Sequence, residues 1–108
     1  MTSEEFDNFW QELTRRLYHK KTAIKNWTVF HQVTGEDFEA EYEGGAYILV
    51  YPQPPAKTQR IPKVDFKVIF ENWDQYLSGE IKRSEFAHGP IAQSRFTKYT
   101  ISIIHGSI

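Results

Sequence analysis

Hydrophobic residues near the start of the chain recur at the spacing of one face of a helix. The series is Phe6, Phe9, Trp10, Leu13 and Leu17. These i, i+3 and i+4 intervals predict an amphipathic helix over residues 3–20. Thr2 with Glu5 three positions later fits a capping box, in which each residue's side chain accepts the other's backbone N–H. The helix therefore has a predicted start as well as a predicted buried face.

The next part of the chain changes to the patterns of β-strands. Residues 27–33 are rich in β-branched and aromatic side chains, residues 37–43 alternate apolar and acidic, and residues 46–51 are apolar on both faces. Turn sequences at residues 34–36 and 44–45 separate these segments. The patterns predict a three-stranded antiparallel meander, with residues 46–51 as a central strand.

Helical patterns return after a proline-rich stretch. Residues 52–60 hold three of the five prolines, which predicts a loop. Residues 62–78 predict a second helix that ends at Gly79, and residues 84–86 a short helical turn. The terminal segment fits both the alternation of a strand and the periodicity of a helix, with one exception each. Ile104 does not fit the strand pattern, and Ile101 does not fit the helix pattern. We predict a helix over residues 94–105, with Ser94 as its N-cap and Gly106 as its terminator.

These elements define an α+β fold in the order α-β-β-β-α-α, with a three-stranded sheet and helices packed on one face. The 108 residues fit a single domain over 1–108 with one core. The aromatic residues, 16% of the chain, fall mostly on faces predicted to be buried. No apolar run approaches the about 20 residues of a membrane-spanning helix. With no cysteine and no signal-peptide pattern at the start, we expect a cytoplasmic protein without membrane contact.

Three segments of the second half of the chain have a loose pattern of residues that is similar to a known group of proteins. They read IPKVDFKVIFENWDQYLSG, EIKRSEF and SRFTKYTISII, and they follow the strand pattern of residues 35–42. Together they resemble small proteins encoded in integron gene cassettes and related mobile bacterial elements. The resemblance implies an α+β fold in a bacterial protein of unknown activity, and it carries over no catalytic residue.

The net charge of −1 conceals an uneven distribution of charge. Residues 1–56 contain 9 acids and 5 bases, whereas residues 57–108 contain 5 acids and 8 bases. The candidate anion-binding set of the basic half is Lys82, Arg83, Ser94, Arg95, Lys98 and Tyr99. Cationic side chains, a capping hydroxyl and a ring that could stack on a base suit nucleic acid or another anion. The alternative is an ordinary solvated surface.

Four acids alternate along the second predicted strand. They are Asp37, Glu39, Glu41 and Glu43. Like charges on one strand face repel one another, so a basic protein, a cation or the basic half of a second copy could compensate them. The alternative is a solvated outer face that protects the strand from edge-to-edge pairing.

Catalytic signatures are missing from the sequence. The histidines show no metal-ligand spacing, and no nucleophile elbow occurs. We therefore predict no catalytic residue, metal or cofactor, and expect a small binding or accessory protein that contacts another protein or forms a homodimer. Nucleic-acid or other anion binding is one alternative. Small-ligand binding in a pocket with Trp27, His31 and Tyr47 is the other.

Overall fold

In the computed structural model, which describes residues 1–29, 36–89 and 96–108, a helix precedes a sheet and further helices follow it. Within those residues the helices are α1 (Ser3–Leu17), α2 (Lys63–Glu71), α3 (Trp73–Ser78), α4 (Arg83–His88) and α5 (Thr97–His105). The strands are β1 (Thr22–Ile24), β2 (Phe38–Glu41), β3 (Tyr47–Tyr51) and β4 (Gln59–Pro62). The predicted α+β class is confirmed.

Helix α1 follows its sequence pattern closely. All five residues of the predicted face are buried. The Thr2 hydroxyl accepts the N–H of Glu5 at 3.1 Å, and the Glu5 carboxylate accepts the N–H of Thr2 at 3.0 Å, which confirms the capping box. The last residues of α1 connect to the sheet, because Leu17 accepts the N–H of Tyr42 at 2.9 Å.

The sheet has four antiparallel strands in the order β1-β2-β3-β4, so the prediction of three strands was wrong. The first strand is Thr22–Ile24, upstream of the predicted segment; residues 27–29 are irregular, and residues 30–33 lie outside the described part. The last strand, Gln59–Pro62, includes residues predicted to form a loop. Pro62 is tolerated because β4 is an edge strand, where a missing N–H leaves no ladder partner unsatisfied.

The two faces of the sheet have different neighbours. The face toward the helices, here called the inner face, carries Ile24, Phe38, Ala40, Ile48, Val50 and Ile61. These residues join a single buried cluster with the apolar residues of α1, α2, α3 and α5. The opposite face, here called the outer face, carries Ala23, Glu39, Glu41, Tyr47, Leu49, Tyr51 and Arg60.

The predicted helix over residues 62–78 is divided in two at Asn72. The backbone there leaves helical geometry, with φ −107° and ψ 20°, and the Asn72 side chain donates to the carbonyl of Val68 at 2.8 Å. Apolar spacing alone did not reveal this break, because Phe66, Ile69, Phe70 and Trp73 are buried on both sides of it. Gly79 ends α3 with φ +84°, as predicted.

Helix α5 lies inside the fold. It buries a run of residues on nearly every side, namely Thr97, Thr100, Ile101, Ser102, Ile103 and Ile104. The predicted helix is confirmed over 97–105, whereas Ser94 lies outside the described part. Gly106 is the C-cap of α5, as predicted, with φ −73°. Within the described ranges, no helix is long and apolar enough to cross a membrane.

Candidate functional site

The predicted acidic stripe is only partly a stripe. Glu39 and Glu41 alternate with buried residues of β2 and belong to the outer face. Asp37 precedes the strand and accepts the backbone N–H of Asn26 at 2.9 Å, which fastens the two ends of the β1–β2 connection. Glu43 follows the strand and is exposed. The outer face therefore concentrates its negative charge at Glu39 and Glu41.

Sequence reasoning missed the tyrosines beside these acids. The Tyr51 hydroxyl donates to Oε1 of Glu41 at 2.7 Å. This bond, together with burial and the neighbouring carboxylates, raises the pKa of Tyr51 to about 12. Residues 46–51 read as uniformly apolar, so the pattern did not separate the two faces of β3. The paired register of β2 and β3, fixed by the turn at residues 44–45, is the signal that would have placed tyrosine beside acid.

Two cations cover the same tyrosines. The Lys21 ammonium lies 4.3 Å from the centre of the Tyr51 ring, and the Arg60 guanidinium lies 5.0 Å from the centre of the Tyr47 ring. Both distances fall within the range of cation–π attraction. Leu49 lies between the two tyrosines and is 8% exposed. The outer face thus combines an apolar centre with acids and bases in fixed positions.

The basic candidate set is divided between two places. Lys82 and Arg83 stand at the start of α4 and line one cavity, whereas Lys98 and Tyr99 lie on α5 and line another. Ser94 and Arg95 lie outside the described residues. The described members do not converge on one anion site, and nucleic-acid binding stays a prediction.

The cavity at α4 has a volume of about 440 Å³. It is lined by Thr28, Val29, Tyr76, Gly79, Ile81, Lys82, Arg83, Ser84, Ala87 and His88. The Tyr76 hydroxyl accepts the N–H of Val29 at 3.2 Å. Burial raises the pKa of Tyr76, while the bond from Val29 and the positive charge of Arg83 act in the opposite direction. Arg83 is therefore electrostatically coupled to the wall of this cavity.

The cavity at α5 is smaller, about 150 Å³. Tyr99 packs edge-on against Phe38 with ring centres 4.9 Å apart, and the Lys98 ammonium lies 5.2 Å from the Tyr99 ring. Glu36 also lines this cavity. The carboxylate of Glu36 on its wall repels an anion, so we expect an anion to bind more weakly here than in the cavity at α4.

The residues proposed for an aromatic pocket are separated. Trp27 stacks on His105 with ring centres 3.8 Å apart and contacts Trp73 at 6.0 Å, beside α3 and α5. Tyr47 lies on the outer face under Arg60. His31 lies outside the described residues. Trp27 and Tyr47 therefore do not line one pocket together.

No group of three or more histidine and carboxylate residues within the described ranges is arranged to hold a metal ion. Among the described residues, the outer face and the cavity at α4 combine apolar surface with charged side chains. Comparison of the chain with protein-family models, curated proteins and solved structures finds no match.

Proposed function

We propose that this chain is a non-catalytic binding protein that acts through protein–protein contacts on its outer face, and that the partner is a second copy. One observation carries the proposal. Glu41, Leu49 and Arg60 are cross-strand neighbours on β2, β3 and β4. An acid, an apolar residue and a base therefore lie side by side in one row of the outer face.

This row is complementary to itself. A two-fold axis parallel to β3 would place Leu49 on Leu49 of the second copy and Glu41 opposite Arg60 of the second copy, twice over. A two-fold axis perpendicular to the strands, in the plane of the interface, would place β2 on β2, where like charges repel. Charge therefore favours the first arrangement, an isologous interface of the kind that most homodimers use.

The neighbours of the row suit an interface. Tyrosine and arginine are enriched in protein interfaces, and Tyr47 and Tyr51 flank Leu49 here. Glu41 is 9% exposed, and within the described part of the chain its carboxylate accepts a hydrogen bond from Tyr51 at Oε1, so Oε2 is the oxygen that a guanidinium would approach. Arg60 is already held over the Tyr47 ring, which reduces the side-chain entropy lost on pairing.

The size of the face sets the expected strength of the contact. Four strands about 4.8 Å apart, with roughly four residues each at about 3.3 Å, cover on the order of 250 Å² in projection. A standard stable interface buries about 800 Å² per partner. The proposal therefore specifies weak, concentration-dependent association. The proposal also includes a biological setting. From the resemblance to integron-cassette proteins and the expected cytoplasmic location, the chain is proposed to be an accessory protein of a mobile bacterial element.

Sedimentation velocity over a wide concentration range tests the proposal. The parent chain is expected to shift from monomer to dimer as concentration rises. Arg60→Glu places an acid opposite Glu41 and is expected to weaken dimerisation at least about tenfold, since each 1.4 kcal/mol is tenfold in affinity. The double exchange Glu41→Arg with Arg60→Glu restores opposite charges and is expected to restore the dimer.

Glu39→Gln is the matched control. It removes a charge from the same strand and the same face, but Glu39 is a cross-strand neighbour of Tyr51 rather than of Leu49. Its dimerisation is expected to equal that of the parent. A parent chain that stays monomeric at every concentration contradicts self-association, as does an Arg60→Glu variant that dimerises normally.

A further inference from the structure

The cavity at α4 combines an apolar wall with positive charge at one end. Val29, Ile81 and Ala87 supply aliphatic carbon, and Tyr76 supplies a buried aromatic ring. Lys82 and Arg83 are exposed. The volume of about 440 Å³ lies within the roughly 300–1,000 Å³ of small-molecule sites. The cavity is therefore large enough for a ligand with an apolar body.

The backbone explains how the wall and the charges come together. Gly79 turns the chain with φ +84° at the end of α3, and the N–H of Ile81 then donates to the carbonyl of Gln75 at 3.0 Å. This return directs Ile81 toward α3 just before α4 begins. Arg83 and Ala87 lie one turn apart on α4, so they share a face. A cation and an apolar surface consequently meet at one wall.

No carboxylate occurs among the described residues that line this cavity. The nearest acid on α4, Glu85, accepts the backbone N–H of Lys82 at 3.3 Å. Within the described part of the chain, neither Lys82 nor Arg83 forms an ion pair within 4.0 Å. Their charges are therefore not neutralised by a neighbouring acid.

Tyr76 adds a hydrogen-bond donor of fixed position. Its hydroxyl oxygen accepts the N–H of Val29, which leaves the hydroxyl proton to donate to another group. The ring is held by Trp73 at 5.5 Å and Phe86 at 6.2 Å between ring centres. The positive charge of Arg83 favours an anionic acceptor for this proton over a neutral one.

We infer that the cavity at α4 binds a small carboxylate with an apolar body, with Arg83 and Lys82 facing the carboxylate and Val29, Ile81 and Ala87 contacting the body. This site is separate from the outer face and does not depend on self-association. Its ligand class is defined by two features together, one anionic group and one apolar group, so neither a simple anion nor a neutral hydrocarbon satisfies it.

Nuclear magnetic resonance titration of the ¹⁵N-labelled full chain tests this site with three probes. They are 4-phenylbutyrate, its neutral isostere 4-phenylbutan-1-ol, and acetate. The phenylbutyrate is expected to shift the amide signals of Val29, Ile81 and Ala87. It is also expected to bind at least about tenfold more tightly than the alcohol, because only the carboxylate forms charge-assisted hydrogen bonds with Arg83 and Lys82. Acetate is expected to bind more weakly than the phenylbutyrate.

Two variants and a control complete the test. Arg83→Gln is expected to lower phenylbutyrate affinity about tenfold and to leave the affinity for the alcohol unchanged. Ala87→Leu places a larger side chain in the cavity and is expected to remove the binding of both the phenylbutyrate and the alcohol. Lys67→Gln removes an exposed cation of α2 that does not line the cavity and is expected to change neither. Equal affinity for acid and alcohol, shifts that map to other residues, or an unaffected Arg83→Gln variant would overturn the inference.

Discussion

Adjacent residues of β3 experience opposite surroundings. Ile48 belongs to the inner face and is fully buried among helices, whereas Leu49 belongs to the outer face and is covered by tyrosines and by the side chains of neighbouring strands. The residues that the inner face buries in the core are apolar, whereas the outer face adds acids and bases in a fixed order. The even-numbered residues of β3 therefore stabilise the core, whereas the odd-numbered residues form the surface for which we propose self-association.

The largest expected effect belongs to the inner face. Ile48→Ala removes a fully buried side chain and leaves a cavity that the surrounding helices cannot fill, so it is expected to lower the free energy of unfolding by about 2–5 kcal/mol. Urea denaturation at low protein concentration measures this loss without a contribution from self-association.

Leu49→Ala is the matched substitution one residue away. Leu49 is 8% exposed and does not belong to the buried cluster that the inner face shares with the helices, so its truncation is expected to cost less, about 1 kcal/mol. The same change is expected to weaken dimerisation, because Leu49 lies at the centre of the proposed contact. A loss of unfolding free energy as large as that of Ile48→Ala would contradict the distinction between the two faces.

The Tyr51–Glu41 hydrogen bond gives the outer face a signature at alkaline pH. The folded pKa of Tyr51 is about 12, above its ordinary value of 10.0. The protonated hydroxyl is therefore favoured by folding, so this contribution to stability is complete below pH 10 and is lost as the pH rises toward 12. Comparison of urea denaturation between the parent and Tyr51→Phe across this interval isolates the contribution.

Glu41→Gln tests the cause of that shift. The hydrogen bond to the carboxylate is the main reason that the pKa of Tyr51 is raised, so its replacement by a neutral amide is expected to bring the pKa back toward 10. Absorbance of tyrosinate during a pH titration reports this change. A pKa of Tyr51 that remains near 12 in Glu41→Gln would assign the shift to burial instead.

The smallest expected effect belongs to Glu39. Its side chain is exposed, and substitutions at such surface positions usually change unfolding free energy by less than about 0.5 kcal/mol. Glu39→Gln is expected to stay within that range in thermal and urea denaturation. A clear stabilisation would indicate that repulsion among the acids of β2 is stronger than its solvent exposure suggests.

The helices and the β2–β3 turn were more predictable from sequence than the edge strands of the sheet. The five apolar positions of α1, the turn at residues 44–45 and the end of α3 at Gly79 follow from periodicity and backbone sterics, which act locally. β1 has three residues, too few for a period-2 pattern, and β4 lies next to prolines. Both depend on pairing with β2 and β3, which is set by tertiary structure and not by local sequence.

The outer face and the cavity at α4 were harder to predict for a related reason. Residues 46–51 present tyrosine and leucine on one side and isoleucine and valine on the other, and hydrophobicity scores these sides alike. Arg60 becomes a neighbour of Leu49 only through the β3–β4 register. Lys82 and Arg83 were identified as candidates from charge, but the apolar wall beside them is formed by the return of the chain after Gly79.

The position of α5 has a consequence for synthesis of the protein. Residues 97–105 fill the centre of the core, yet they leave the ribosome after α1 and the whole sheet. Until they emerge, α2 and α4 lack the helix that packs against them and expose hydrophobic surface, the condition under which nascent chains aggregate or recruit chaperones. Completion of this core is thus coupled to translation of α5, and slow translation of the codons before residue 97 would prolong the interval in which the surface is exposed.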